Sequence, residues 1–538
     1  MNSLIIVALT MLMFWFGYAV YAKKIEAIFK PDPDKKTPAY FKYDGTDYVP
    51  AKHWTVLFGH HFSSIAGAAP IVGPILAVSI WGWAPVLLWV VLGTVFIGGV
   101  HDYASLMASV RHQGSSIADF SKTVVSKNTK YIFLAFLWVA LILIISVFVD
   151  VCARTFVVKP EIVMPSLGLI PVAMTVGYLM YIRKANNALV TIFGLLSLAG
   201  LVMLGNKMPI TASGDALKTW SIVLLVYAYF ASIMPVQILL QPRDYLSAFL
   251  LVLGLTFGYV GIFVSRPNLE LPAFVAWRSS IGDALWPVLF ITVACGAVSG
   301  FHAIVSGGTT SKQITNETHA KRIGYGAMIA EGLVAAMALL VVAAAFSNVS
   351  ILQTAVKSGS GPAGVFGTGY GLITKKFLGN FGQLFAILLL NAFVLTTLDT
   401  AARIGRYLTE ELFKVKNRYL STLVIVSLSG WLGLSGRWNE IWPIFGAANQ
   451  LIAALTLIVI TSWLLSMGKR IRYTFIPMVF MLVTTVSALV IKIKDYINQG
   501  NYVLLAVSVI LLCLSGFILF EAVQSMRHAY KQRRRGHA

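Results

Sequence analysis

Phe58 to Pro74 reads FGHHFSSIAGAAPIVGP: two adjacent histidines, a run of small residues and two prolines inside an otherwise apolar stretch. Lipid offers no hydrogen bonds to bare peptide groups, so an interrupted helix at membrane depth persists only where it is packed in protein or lines a polar cavity. The stretch therefore predicts a membrane helix that breaks near Gly67 to Pro70, with the function gathered around the break.

The composition outside this stretch agrees. Of the 538 residues, 58% are hydrophobic and only 12% charged, far from the averages of soluble domains. Apolar runs of roughly 20 residues, each long enough to cross about 30 Å of hydrocarbon, recur along the whole chain. About fifteen are expected, making an all-α polytopic membrane protein. If the loop from Lys23 to Lys52 is cytoplasmic and every span crosses once, about 30 of the 42 Lys and Arg fall on the cytoplasmic side, as the positive-inside rule requires. The N-terminus is then outside, and the basic tail at 526–538 is cytoplasmic. The first apolar stretch, Leu4 to Tyr21, has its lysines (Lys23 and Lys24) after it rather than before it, which marks a retained helix and not a secretory signal.

Several classes are excluded. The net charge of +21 is expected to meet anionic lipid, not nucleic acid. Cys152, Cys295 and Cys513 are scattered, which gives neither a disulfide framework nor a zinc motif. The hydrophilic stretches near 23–53 and 347–378 are too short for a soluble domain.

A second interruption is expected in the span 219–241, where Tyr227, Tyr229, Ser232, Pro235 and Gln237 sit among aliphatics. It lies five spans after the first and enters from the opposite side, the pattern of a LeuT-like 5+5 inverted repeat. The expected organisation is an extra helix and loop at 1–53, repeats at 54–205 and 206–402, and further helices at 403–525. Pro70 and Pro235 would each open the second half of a helix, where a missing N–H costs nothing. The exposed half-helix N-termini favour a carboxylate and the opposing carbonyl ends a cation. In the alternative reading both prolines only kink packed helices.

In the expected span 284–311, Cys295, Ser299, His302, Ser306 and Thr310 fall on one helical stripe. The stripe either lines a pathway, with His302 as proton carrier, or makes interhelical hydrogen bonds. Acids within or near the membrane are few: Asp102, Asp150, Glu331 and Asp399. Glu331 is the deepest and suits a reversible proton site, whereas Asp399 precedes Arg403 by four residues, as in a structural ion pair. His60 and His61 point about 100° apart on a helix, so a metal would need further ligands, His302 among them. One histidine is expected at the cavity and the other on a neighbouring helix. Gly307 to Lys312 lacks the spacing of a phosphate loop, and its Thr309 and Thr310 are candidates for a sodium site. Arg243 and Asp244 are expected to cap and pair at a tight junction between spans.

Several ordered motifs are similar to those of the carbon starvation protein A (CstA) family: DGTDYVP at Asp44 to Pro50, the Phe58 to Pro74 stretch, PRDYL at Pro242 to Leu246 and ACGAVSGFH at Ala294 to His302. SGGTT at Ser306 to Thr310, IGYG at Ile323 to Gly326, LDTAAR at Leu398 to Arg403 and WPIFGAANQ at Trp442 to Gln450 continue the series. The resemblance implies an inner-membrane importer of small nutrients, peptides or pyruvate, scavenged under carbon limitation and driven by protons. It also implies kinship with the amino acid, polyamine and organocation transporters. His101 stands where Gln is expected in better-known members, and 347–378 is shorter than its counterpart there.

On this reading transport proceeds by alternating access. Ser63, Ser64, Gly67, Ala68, Pro70, Tyr229, Ser232, Gln237 and Ser299 are expected to bind substrate. Glu331, His302, Asp399, Asp102, Thr309 and Thr310 are expected to couple protons or, alternatively, sodium. No cofactor is expected; His60, His61 and His302 are the only candidate metal ligands, and the oligomeric state is left open. A divalent-metal carrier of related architecture would need Asp and Asn on the first broken helix, yet no acid stands near Ser64.

Overall fold

The computed structural model describes residues 2–279, 282–358, 361–435 and 438–535. It is helical throughout, with no strand among the described residues. Among the described residues, thirteen helices are long and apolar enough to cross a membrane. The helices that carry the argument are α1 Ser3–Phe29, α2 Trp54–Ala66, α3 Ala69–Trp81, α4 Trp83–Arg111, α5 Lys127–Val158, α6 Pro160–Ile182, α7 Asn187–Lys207, α8 Ala216–Ile233 and α9 Leu240–Ser265. They continue as α10 Phe301–Gly308, α11 Glu317–Ala345, α12 Gly361–Leu378, α13 Phe381–Phe413, α14 Arg418–Gly433, α15 Trp438–Ser466, α16 Arg472–Gln499 and α17 Tyr502–Arg535.

Two of the expected spans fall short of that length. One is α14, with 16 residues; the other is 284–311, which is interrupted. The stretch at 347–378, expected to be hydrophilic loop, folds into Val349–Lys357 and α12. The boundary expected at 402/403 falls inside α13, which runs on to Phe413. The basic tail continues α17 to Arg535, and 536–538 lie outside the described residues.

The first break is where the sequence places it. α2 ends at Ala66, Gly67 turns with φ +36°, and α3 starts at Ala69 with Pro70 in its first turn. An L-residue side chain at that φ is strained, and a Cβ on Gly67 would also stand 3.0 Å from the Phe148 ring. α3 then packs tightly on the second broken helix: a Cβ at Gly73 would lie 2.6 Å from the Thr292 carbonyl oxygen.

The second break is not where the sequence suggested. α8 simply ends at Ile233 and α9 begins at Leu240, so Ser232 to Pro235 is a junction between two spans, not a gap inside one. Pro235 and the apolar residues on both sides imitate a broken helix because a tight inter-helix turn and a mid-span break need the same residues. The true interruption lies in 284–311. A helical arm, Leu285–Leu289 continued by Phe290–Thr292, stops at Val293, and the chain stays unwound until α10 starts at Phe301. Cys295 and Ser299 therefore sit on unwound backbone, and the single helical stripe expected there does not exist.

Candidate transport site

The two breaks meet. A Cβ on Gly296, in the second, would lie 3.5 Å from the Cα of Pro70 in the first. Peptide groups freed by the unwinding are taken up by side chains from neighbouring helices. At the first break, the Thr396 and Thr397 hydroxyls of α13 donate to the carbonyls of Ser63 (2.6 Å) and Ser64 (2.9 Å), and Ser64 Oγ bonds Thr400 Oγ1 at 3.0 Å. At the second, Trp89 Nε1 donates to Val293 O (3.2 Å) and Thr94 Oγ1 to Gly296 O (3.2 Å). Asn449 Oδ1 accepts from the Phe301 N–H that opens α10, at 2.8 Å; its Nδ2 reaches Cys295 Sγ and Ser299 Oγ; and its carbonyl accepts from Gly300 N. Gln450 Nε2 donates to Phe290 O at 2.5 Å. Asn449 and Gln450 thus clamp both rims of the unwound stretch, a role the sequence reading did not assign. The helical spacing assumed across 284–311 hid it.

Two buried networks of charged side chains flank the breaks. In the first, Asp102 of α4 accepts from His101 Nδ1 (2.8 Å) and from His302 Nδ1 (2.6 Å), and His302 Nε2 stands 3.0 Å from Glu331 Oε2 of α11, out of line for a hydrogen bond. All four side chains are fully buried. No Lys or Arg pairs with either carboxylate among the described residues, and neither Glu331 oxygen has a hydrogen-bond partner there. Bringing Asp102, His302 and Glu331 together was not foreseen, although each residue was singled out separately. His101 joins them through Asp102.

In the second network, Arg243 of α9 is bonded to Asp399 of α13, to Tyr227 of α8 and to its neighbour Asp244 (2.9 Å), which accepts from His60 Nδ1 at 2.7 Å. Asp399 thus finds Arg243 and Tyr227 instead of the expected Arg403. Arg403 turns to Asp47 in the loop before α2 (3.3 Å) and to the carbonyls of Ala231 and Met234. Helical spacing alone cannot choose between a partner four residues away and a better-placed one on another helix.

The adjacent histidines separate, each onto a different element. His60 serves Asp244, while His61 Nδ1 bonds Thr310 Oγ1 at 2.8 Å and lies within electrostatic reach of Asp102 and His302. Both are tied to neighbouring helices, where one was expected at a cavity. His60, His61 and His302 share no ligand-like cluster, and no group of three His, Cys, Asp or Glu able to hold a metal is found among the described residues. Thr309 Oγ1 donates to Val305 O.

The substrate-binding candidates also divide. Ser63, Ser64, Gly67, Ala68, Pro70 and Ser299 line the two breaks. Tyr229, Ser232 and Gln237 do not: Tyr229 stacks edge-on against Phe230, Ser232 Oγ reaches only Ala402 O at 3.4 Å, and Gln237 Nε2 donates to Gly45 O.

The family Carbon starvation protein CstA matches residues 2–353 and 346–488. The peptide transporter CstA of Bacillus subtilis is 32% identical, covering 97% of this chain and 96% of that protein. The peptide transporter CstA of Campylobacter jejuni is 31% identical over 94% and 82%, and the pyruvate/proton symporter BtsT of Escherichia coli 32% over 91% and 82%. Among solved structures, two of a manganese transporter from Eremococcus coleocola superpose with TM-scores of 0.55 and 0.54, covering 90% of this chain and 99% of the transporter. At 12% identity they share the fold of a membrane transporter and nothing finer. The chain is a multi-pass membrane protein that belongs to the CstA family of transporters.

Proposed function

We propose that this chain imports a small carboxylate-bearing nutrient, a peptide or pyruvate, by alternating access coupled to proton entry. The observation that carries the coupling is the buried quartet His101, Asp102, His302 and Glu331, made only of groups able to gain or lose a proton. A proton between His302 Nε2 and Glu331 has two homes 3.0 Å apart. With imidazolium on one side and carboxylate on the other the pair is charge-separated; with both groups neutral it carries no charge. Such pairs inside membranes serve proton relays. Because His302 lies in the first turn of α10 and Asp102 and Glu331 belong to α4 and α11, the proton's position bears on how the unwound stretch packs against its neighbours. The carboxylate of the nutrient would meet the N-terminal end of α3, where the helix dipole favours an anion; the first amides of α10 are already taken by Asn449, Ser299 and Gly300.

The inverted repeat follows the true breaks: its second unit is 285–466, and its first is 54–158 joined by α8 and α9, with α6 and α7 inserted. Each unit is a broken helix, a 29-residue helix, a helical insertion, a helix of 32 or 33 residues, a short helix of 18 or 16 residues and a longer one of 26 or 29. Packing supports this: α9 lies on the first broken helix, where Asp244 accepts from His60, as α15 lies on the second, where Asn449 accepts from Phe301. With α14 and the broken span counted, fifteen crossings leave the N-terminus outside and the C-terminus in the cytoplasm.

The test is uptake of labelled pyruvate and of a dipeptide into vesicles, with proton and sodium gradients imposed separately. Accumulation driven by a proton gradient alone is the expected result; accumulation that needs sodium would overturn the coupling. Thr309 and Thr310, the hydroxyls that the sodium reading needs, are both bonded within the protein.

A further inference from the structure

Below the breaks, on the face that carries Lys42, Lys130 and Glu411, lies a cavity of about 330 Å³. Leu137, Ile304 and Ile404 line it, with Ile304 two residues past His302 and Ile404 four past Thr400, the partner of Ser64. Ile117 and Leu408 extend the apolar wall, and the polar part of the lining contains three lysines, whose circumstances differ. Lys130 is fully neutralised, with Asp119 at 2.7 Å and Glu411 at 2.6 Å. Lys42 lies over the Tyr48 ring at 5.7 Å from its centroid. Half-buried Lys312, at the end of the second broken span, has its ammonium 4.5 Å from the Tyr407 ring centroid and 5.3 Å from that of Tyr48.

Cation–π contact eases an ammonium into such a place without using its N–H donors. Lys312 has no carboxylate within ion-pairing distance among the described residues, and the nearest candidate, Asp47, is occupied by Arg403 and Tyr407. An ammonium with three free donors on the wall of a small cavity is half of a charge-assisted hydrogen bond. The missing half is an oxyanion, and the cavity has the dimensions of a small-molecule site.

We propose that this cavity is a cytoplasmic station for a small carboxylate, with Lys312 as its charge contact, through which the nutrient passes after leaving the central breaks. The proposal rests on reading the chain as a carboxylate importer, but its test does not require transport. Inside-out vesicles are treated with a small acylating reagent, and the labelling rate of Lys312 is followed by mass spectrometry, with exposed Lys416 as the internal control. Pyruvate or dialanine at ten times its dissociation constant is expected to slow labelling of Lys312 about tenfold. The uncharged amides of the same compounds, and Lys416 in every condition, are expected to show no protection. Equal labelling with and without carboxylate would overturn the station, as would a Lys312 that never labels, since a cavity open to pyruvate admits a reagent of that size. In counterflow, Lys312→Met is expected to raise the internal half-saturation about tenfold with the external value unchanged, and Lys312→Arg to preserve both. Protection without any uptake of pyruvate or peptide would sink the import reading and leave the station standing.

Discussion

The two buried networks differ in one decisive way. The network at Asp399 and Asp244 is centred on Arg243, a guanidinium that keeps its proton in any protein environment, so a fixed positive charge holds its carboxylates. The network at Asp102 and Glu331 has imidazoles in that place, and imidazole exchanges protons near neutral pH. The same kind of pairing yields an anchor in one case and, on the function proposed above, an exchanger in the other, and the identity of the base tells them apart. Of the adjacent histidines, His60 joins the Arg243 network through Asp244, while His61 bonds Thr310 outside both.

The most severe way to break the anchor is Arg243→Met, which leaves two carboxylates buried without their cation. Removing one partner of a buried pair costs about 3 to 5 kcal/mol, so thermal unfolding in detergent should show a large fall in midpoint; an unchanged midpoint would mean that the network is not structural. For the exchanger, Glu331→Gln removes the proton home and keeps the shape. Gradient-driven accumulation, worth about 2.3 kcal/mol per 100 mV for each charge moved, should disappear while substrate exchange continues, and stability should change far less than in the Arg243 variant. Loss of exchange together with accumulation would instead make Glu331 a packing residue.

The clamp at the second break is the next smaller effect. Asn449→Ala leaves the Phe301 N–H and the Ser299 hydroxyl without their partner, and each orphaned buried group costs about 1 to 3 kcal/mol. Proteolysis or hydrogen exchange should show 293–300 loosened while the first break stays protected. The smallest effect concerns the loop before α2. Burial, the largest single influence on Asp44, raises its pKa, but the N–H groups of Thr46, Asp47 and Tyr48, all bonded to its carboxylate at 2.8 to 2.9 Å, outweigh it and hold the carboxyl below the usual range. A lowered folded-state value stabilises above the unfolded-state pKa and is lost as pH falls through the folded one. The protection factors of those three amides, corrected for the intrinsic exchange rate at each pH, should therefore fall only under acid conditions, and Asp44→Ala should abolish that pH dependence.

Much of the fold was legible because membrane spans are read from length and polarity alone. The first break was legible as well, since Gly67, with its positive φ, and Pro70, in the first turn of α3, each meet a local backbone demand. The second was misplaced because Pro235 is a strong local signal and Val293 to Gly300 has no proline to announce it. What unwinds that stretch is a distant asparagine, Asn449, and local pattern carries no record of it. Partner choice failed for the same reason: Asp399 lies one turn from Arg403, but the geometry that pairs it with Arg243 exists only after three helices have packed. His302, Asp102 and Glu331 were found singly by a simpler rule, that ionisable side chains in an apolar span are rare and need a purpose.

On α13, Thr396, Thr400, Arg403 and Tyr407 recur at intervals of four, three and four, which on a helix confines them to about 60° of one side. That strip touches, in turn, the Ser63 carbonyl, the Ser64 hydroxyl and the Asp47 carboxylate. A single stiff rod thus acts like a camshaft: one small roll about its axis would release the unwound centre and the loop before α2 at the same instant, with no relay of successive signals between them.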